Sequence, residues 1–217
     1  MARKKKKKQK KIRVPKINYQ RPLSQIRPLR MRGPRYYLKN ARSYPFLGCW
    51  KFADLEDAGI GPVVIARKQS ENRVLFGVYL LDIWCLGIKD AFVRTDVSLA
   101  KFQKELPRLC SDLPQEISIE FAHELIYGAK EYAEKYGFQP HPDFTRQMAD
   151  QVLDPPDAYP RTHNIEFGKE GKPHFVAGPY DDEQRCRHIL NTLERTAGPK
   201  NYSFIVHFGT PPADIFE

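Results

Sequence analysis

The sequence predicts an α+β fold, a mostly antiparallel sheet with packed helices, preceded by a basic N-terminal tail. Residues 74–92 are apolar on both alternating faces, which is typical of a central strand covered on each side. Segments with helical spacing follow this stretch, and the last fifty residues read as strand, strand, helix and strand. We found no internal repeat.

The charged residues divide the chain into two parts. Residues 1–45 hold 17 Lys and Arg and no Asp or Glu, whereas the whole chain has 36 and 26. Residues 46–217 therefore carry 19 basic and 26 acidic side chains, a net charge of −7. We predict a basic tail at 1–45 and a single domain at 46–217. A polyanion fits the tail, and nucleic acid is not expected to coat the domain.

The tail itself has two halves. Residues 3–16 form a lysine block whose like charges repel one another, so we expect it to be disordered or extended. Residues 17–45 contain four prolines, which favour extended backbone, and set arginines among tyrosines. Cations neutralise phosphates and tyrosines stack on unpaired bases. The predicted nucleic-acid-binding residues are Lys4, Lys5, Lys6, Lys7, Lys8, Lys10, Lys11, Arg13, Arg27, Arg30, Arg32, Arg35, Tyr36, Tyr37 and Arg42, with Tyr44 as a further stacking residue.

In composition the tail resembles the basic extensions with which ribosomal proteins thread through RNA. Other interpretations stay open: a sorting signal, a contact for acidic lipid, or a solubilising tail on a protein-interaction module. No apolar amphipathic face accompanies the lysines, which disfavours a membrane partner. The chain has no secretory-signal pattern or membrane-spanning stretch, and its four cysteines form no C-x-x-C pair. We therefore expect a cytoplasmic protein without disulfides or a zinc site.

The first elements of the domain are predicted to be strands. A short strand at 63–67 and a polar connection at 69–73 lead into the central stretch as an antiparallel hairpin. Gly87 is a candidate for a bulge or bend. Ser98 is expected to cap a helix that runs to about Leu109, although Pro107 suggests a kink.

The rest of the chain has stronger helix signals. Residues 116–136 carry an apolar stripe and end at Gly137, and a third helix is predicted at 144–153. The GKEGKP segment is expected to turn a hairpin between strands at 165–167 and 174–177. Asp181 is predicted to cap a helix at 182–197, and residues 202–208 alternate like a half-buried strand.

Candidate catalytic residues cluster around the central stretch. Asp82 is a lone carboxylate among apolar residues, and Lys89 and Asp90 follow it. A metal-dependent nuclease or hydrolase needs such carboxylates and a lysine at one cation. His141 lies in QPHPDF, a proline-bound loop of the kind that carries function or rigidly joins helices. If the protein is an enzyme, we expect Asp82, Lys89, Asp90 and His141 to act. The alternative is that backbone amides or a lysine satisfy Asp82.

Other patterns carry less chemistry. Glu120 and His123 form an E-x-x-H, but no second such pair exists, and we interpret it as a solvated helix face. In GPYDD, acidic residues occupy the helix N-terminus and would repel an anion. No nucleotide-binding or serine-hydrolase motif is present. The sequence thus predicts no metal and no cofactor.

The segments FGVYLLDIWCLGIKDAF, EFAHELIYGAKEYAEKYGFQPHPDF and IEFGKEGKPHFVAGPYDD together resemble an uncharacterised bacterial protein family. The resemblance covers about residues 46–208 and implies a bacterial, cytoplasmic protein, with no activity or site to carry over. The sequence therefore favours a non-enzymatic protein that associates with nucleic acid, RNA rather than DNA, or with a ribonucleoprotein. The domain would serve as a scaffold or bind a partner. The alternative is the metal-dependent nuclease or hydrolase.

Overall fold

The apolar stretch predicted as a central strand lies inside the main sheet. The computed structural model describes residues 33–206. Five strands form an antiparallel sheet in the order β4-β3-β2-β1-β5, which confirms the α+β class. Helices cover both faces of this sheet, so β3 is buried on both sides. The strands are β1 (Phe46–Phe52), β2 (Ile60–Ser70), β3 (Arg73–Asp82), β4 (Gly87–Ser98) and β5 (Pro114–Ile117).

The stretch 74–92 is two strands joined by a turn. β3 ends at Asp82, whose carboxylate accepts hydrogen bonds from the backbone amides of Trp84 and Cys85. Gly87 then starts β4 at φ +70°, and a Cβ there would lie 2.7 Å from Ala133 Cβ, so only glycine fits. The predicted hairpin of β2 and β3 is confirmed, although β2 is longer than the predicted strand at 63–67.

Two capped helices cover the two faces of the sheet. α3 (Leu99–Leu109) begins at Ser98, whose Oγ accepts the amide of Lys101, as predicted. On the opposite face, α4 (Ile119–Lys135) begins at Ser118. The prediction of a helix from 116 is wrong at its start, because residues 114–117 form the edge strand β5 beside β1.

Part of the predicted tail is folded. α1 (Pro34–Lys39) is followed by a 3₁₀ turn (Ala41–Ser43), so extended backbone is a wrong prediction for these residues. Pro34 lies in the first turn, where its missing N–H is harmless. Leu38 and Ala41 are buried in the cluster beneath α4. The described elements thus begin with α1 and the 3₁₀ turn, which precede Phe46 in the sequence.

Short helices complete this face of the sheet. α2 (Leu55–Ala58) joins β1 to β2. The predicted helix at 144–153 is instead α5 (Asp143–Arg146) followed by a 3₁₀ turn (Ala149–Gln151). Phe144 and Leu153 are buried in the same cluster as α1.

The C-terminal strands pair differently from the prediction. β6 (His174–Val176) pairs in parallel with β7 (Ser203–Ile205), and α6 (Glu183–Thr196) connects them. The hairpin between 165–167 and 174–177 is therefore wrong, and the GKEGKP segment contains only a local turn at Lys169 and Lys172. β7 is exposed rather than half-buried, and residues 207–208 of the predicted strand lie outside the described residues.

The cap of α6 is Asp182 rather than Asp181. The Asp182 carboxylate accepts the amide of Arg185, as an N-cap does. Asp181 is thereby left to accept the amide of Gly178 and to form ion pairs.

The four cysteines are buried, reduced and distributed over three hydrophobic clusters. Cys49 lies in the cluster beneath α4, and Cys110 lies in the cluster beneath α3. Cys85 and Cys186 lie in a third cluster between the β3–β4 turn and α6. Burial raises the pKa of all four thiols, that of Cys110 to about 12. No described helix is long and apolar enough to cross a membrane.

Candidate functional site

A pocket of about 350 Å³ lies between the start of β4, the loop after α4 and the first turns of α6. We call it the β4–α6 pocket. Its wall is largely apolar, with four cationic or titratable side chains and no carboxylate among the lining residues. The lining residues are Leu86, Ile88, Lys89, Phe138, Gln139, Pro140, His141, Pro142, Arg185, His188 and Ile189.

Asp181 forms ion pairs with two basic side chains, Lys89 and Arg185, at one wall of this pocket. Its Oδ2 lies 3.5 Å from Lys89 Nζ, and its Oδ1 lies 2.7 Å from Arg185 Nε. The Asp181 side chain is only 5% exposed, and its Oδ2 also accepts the amide of Gly178 at 2.9 Å. A nearly buried carboxylate, held by a backbone amide and by two ion pairs, thus orients Lys89 and Arg185.

The loop after α4 presents His141 at the pocket rim. Its backbone amide donates to the carbonyl of Ile88 at 2.8 Å, and prolines on both sides restrict the loop. His141 Nδ1 lies 3.6 Å from Asp90 Oδ1 and 4.0 Å from Asp143 Oδ2. One ligand atom from each of these residues lies within 4.8 Å of the others. An imidazole nitrogen and two carboxylate oxygens can together hold a divalent cation.

The structure brings together three of the four predicted catalytic residues. Lys89 and His141 line the pocket, and Asp90 lies beside His141. Asp82 is not in the pocket wall. It is 6% exposed and accepts hydrogen bonds from the amides of Trp84 at 3.1 Å and Cys85 at 2.9 Å. Burial raises the pKa of Asp82 to about 6, although Lys89 and these amides partly oppose the rise. Asp82 therefore shapes the β3–β4 turn.

The prediction that Glu120 and His123 lie on a solvated face of α4 is wrong for His123, and the neighbouring Glu124 is buried as well. His123 is 1% exposed, and its ring bonds the carbonyl of Pro155 at 2.8 Å. Glu124 is 8% exposed. The loop from Pro155 to His163 covers this side of the helix. The apolar stripe in the sequence identifies only the side that faces the core, so it does not predict burial beneath a loop.

Sequence reasoning missed the pair of Glu124 and His163. Glu124 Oε2 accepts the amides of Thr162 and His163 and lies 3.0 Å from His163 Nδ1. Burial raises the pKa of Glu124, but these hydrogen bonds outweigh it and hold the pKa below its usual value. His163 lines a second, more open pocket of about 490 Å³ that also contains Lys51 and Glu56. The two partners are 39 residues apart, and no motif links them.

The predicted nucleic-acid-binding residues fall into three groups. Arg35 and Tyr36 are exposed on α1. Arg42 donates to the carbonyls of Leu153 at 2.7 Å and Asp150 at 3.2 Å, and Tyr37 and Tyr44 pack against the core, so these three have structural contacts. The others lie outside the described residues: Lys4, Lys5, Lys6, Lys7, Lys8, Lys10, Lys11, Arg13, Arg27, Arg30 and Arg32.

We compared the chain with protein-family models, with curated proteins and with solved structures, and none of them matched it. The resemblance to a bacterial family therefore stays a prediction. Any function must be argued from the chain's own residues.

Proposed function

We propose that the protein associates with nucleic acid through its basic N-terminal segment, and with RNA in preference to DNA. One observation carries the proposal: residues 1–45 hold 17 basic and no acidic side chains, while the remaining residues have a net charge of −7. Lys and Arg of such a segment neutralise the phosphates of a polyanion, and the release of its condensed counterions into solution favours binding. The acidic domain repels the same polyanion. The domain would then act as a scaffold or bind a partner of the complex.

The exposed residues of α1 support the proposal. Arg35, Tyr36 and Lys39 are exposed, and 41% of Tyr36 is accessible. A tyrosine among cations can stack on an unpaired base while the cations bind phosphates. This favours a single-stranded ligand, such as an RNA loop, over duplex DNA.

The test uses the full chain, because removing residues before Phe46 would also remove the buried Leu38 and Ala41. Replace the seven lysines of positions 4–11 with glutamine, and measure binding to a mixed-sequence single-stranded RNA over a salt series. The affinity of the wild type should fall steeply with salt, with a logarithmic slope of about 0.7 per neutralised phosphate. The variant should bind more weakly and with a shallower slope.

A matched control replaces three exposed lysines of the domain, Lys68, Lys101 and Lys104, with glutamine. The control should bind RNA like the wild type. Equal affinity of the wild type and the seven-lysine variant, or binding that salt does not weaken, would refute the proposal. A duplex DNA of the same length tests the preference for RNA, which requires weaker binding to the duplex.

A second candidate function is metal-assisted hydrolysis at the rim of the β4–α6 pocket. The observation that favours it is the convergence of Asp90, His141 and Asp143, with ligand atoms within 4.8 Å of one another. A divalent cation there would lower the pKa of a bound water, and the neighbouring Lys89 and Arg185 could bind an anionic substrate.

The test of this candidate is Mn²⁺ binding to the full chain, followed by nuclease and phosphatase assays. Asp90→Asn should abolish both cation binding and Mn²⁺-dependent turnover. Asp57→Asn, which changes an exposed carboxylate of α2, should alter neither. Absence of Mn²⁺ binding, or binding without turnover, would exclude this function.

A further inference from the structure

We propose that the β4–α6 pocket binds a small organic anion, a phosphate or carboxylate group on an apolar body. This site goes beyond the proposed association with nucleic acid, since it uses none of the residues of the basic segment. It shares Lys89 and Arg185 with the second candidate function but does not depend on it. It also requires no metal ion.

The charge of the pocket-lining residues is opposite in sign to the net charge of the domain. Residues 46–217 have a net charge of −7, yet none of the pocket's lining residues is acidic and two are permanent cations. Asp181 neutralises one of these two charges, which leaves Lys89, Arg185 and Asp181 together with a net charge of +1. Asp90 and Asp143 lie beside His141 but are not among the lining residues. His141 and His188 add two imidazoles at the same opening. An anion is the ligand that such a wall attracts.

Both cations retain hydrogen-bond donors for a ligand. The Lys89 side chain is 14% exposed, and within residues 33–206 its ammonium forms one hydrogen bond, at 3.5 Å. An ammonium has three donors. Arg185 uses its Nε for Asp181, and the described residues give its two terminal amino groups no partner. Because Asp181 fixes both side chains, these remaining donors need little further ordering on binding.

The apolar residues of the wall would contact the uncharged, apolar part of the ligand. Leu86, Ile88 and Ile189 are buried side chains that form an apolar floor, and Phe138 lies beside them. The volume of about 350 Å³ is at the lower end of the range for small-molecule sites. It fits a single aromatic or aliphatic body with one anionic group, and an inorganic ion would leave the apolar floor uncovered.

Phenyl phosphate and phenylacetate represent the two sources of anionic charge, and benzyl alcohol is their neutral analogue. We would titrate each into the ¹⁵N-labelled full chain and follow the amide resonances. Saturable shifts at Lys89, Phe138, His141 and Arg185 are expected with at least one of the two anions. Benzyl alcohol and inorganic phosphate should bind at least about tenfold more weakly, because each lacks one half of the recognition.

Two substitutions locate the binding on the wall. Arg185→Gln should weaken the anion at least about tenfold, and Lys89→Met should do the same. The control is Arg187→Gln on the same helix, where Arg187 is exposed and pairs with Glu183 instead. The amide spectrum reports whether each variant is folded, and Arg185 is exposed enough that its loss should leave the fold intact.

Three results would overturn the proposal: no saturable shift at the pocket with either anion, equal binding of benzyl alcohol, or unchanged binding by the folded Arg185→Gln variant. The variant with seven lysines replaced should bind the anion like the wild type. The outcome is therefore independent of whether the protein binds RNA.

Discussion

Two buried carboxylates in this protein have pKa values shifted in opposite directions. Asp82 at the end of β3 and Glu124 in α4 are 6% and 8% exposed, and each accepts backbone N–H groups. Burial raises the pKa of Asp82 to about 6 in spite of its donors and Lys89. The pKa of Glu124 is lowered, because its hydrogen bonds outweigh the effect of burial.

The difference shows that exposed area alone does not set the sign of a pKa shift. Loss of hydration is the largest single effect on the pKa of both groups. At Asp82, which lies in a turn between apolar clusters, it exceeds the combined effect of Lys89 and the amides. Glu124 lies beneath a single loop, next to an open pocket, and receives an imidazole in addition to two amides. Both the depth of burial and the strength of the donors decide whether ionisation is favoured.

Of the substitutions that test this difference, Asp82→Asn should change the free energy of unfolding the most. The pKa of Asp82 is about 6 in the folded protein and 3.8 in an unfolded chain, so ionised Asp82 opposes folding. The free energy of unfolding should therefore fall as the pH rises from about 4 to about 6, by up to about 3 kcal/mol. Asparagine keeps an acceptor for the two amides and carries no charge. Urea unfolding at pH 8 should show a variant up to about 3 kcal/mol more stable, with the gain vanishing near pH 4. Parallel pH profiles would disprove this account.

Glu124→Gln should instead destabilise the protein, lowering the free energy of unfolding by about 2 kcal/mol at pH 7. The folded pKa of Glu124 is below its ordinary value of 4.5, so the carboxylate stabilises the fold above that pH. The stabilisation is lost as the pH falls through the folded pKa, and the two proteins should converge there. Urea unfolding between pH 3 and 7 measures the difference. Glu116→Gln, which changes an exposed residue of β5, is the control and should match the wild type. A loss that stays constant with pH would contradict the assignment.

Lys89→Met should change the free energy of unfolding the least. It separates the effect of the Lys89 charge on the pKa of Asp82 from the effect of burial. The charge of Lys89 lowers the pKa of Asp82, so its removal should move the pH window of the wild type upward. At pH 8, Lys89→Met should cost about 1 kcal/mol more in the wild-type background than in Asp82→Asn. A double-mutant cycle by urea unfolding gives this number. Equal costs in the two backgrounds would mean that Lys89 acts only through Asp181.

Local signals in the sequence predicted the elements that local chemistry determines. The run of apolar residues on both faces located β3, because only a strand covered on both sides tolerates it. Ser98 marked the start of α3, since a hydroxyl at that position accepts an orphan amide. The sequence also gave prominence to Lys89, Asp90 and His141, which do lie together.

Pairings over long separations could not be predicted in the same way. β5 begins with Pro114 and has no alternating pattern, and only its place beside β1 makes it a strand. His174 and Ser203 pair in parallel because α6 returns the chain to the same side. Lys89 meets Asp181 across 92 residues, so neither sequence neighbourhood reveals the pocket wall.

The burial of the thiols makes them reporters of motion within the native protein. A thiol-specific reagent reacts with the ionised sulfur, and both enclosure and a raised pKa suppress the reaction in the closed fold. Because each thiol is buried in a different layer, we expect Cys110 to react when α3 lifts from the sheet, Cys49 when the α4 side opens, and Cys186 when α6 detaches. The order in which the cysteines are labelled under native conditions thus ranks the layers by their opening free energies, with no engineered probe.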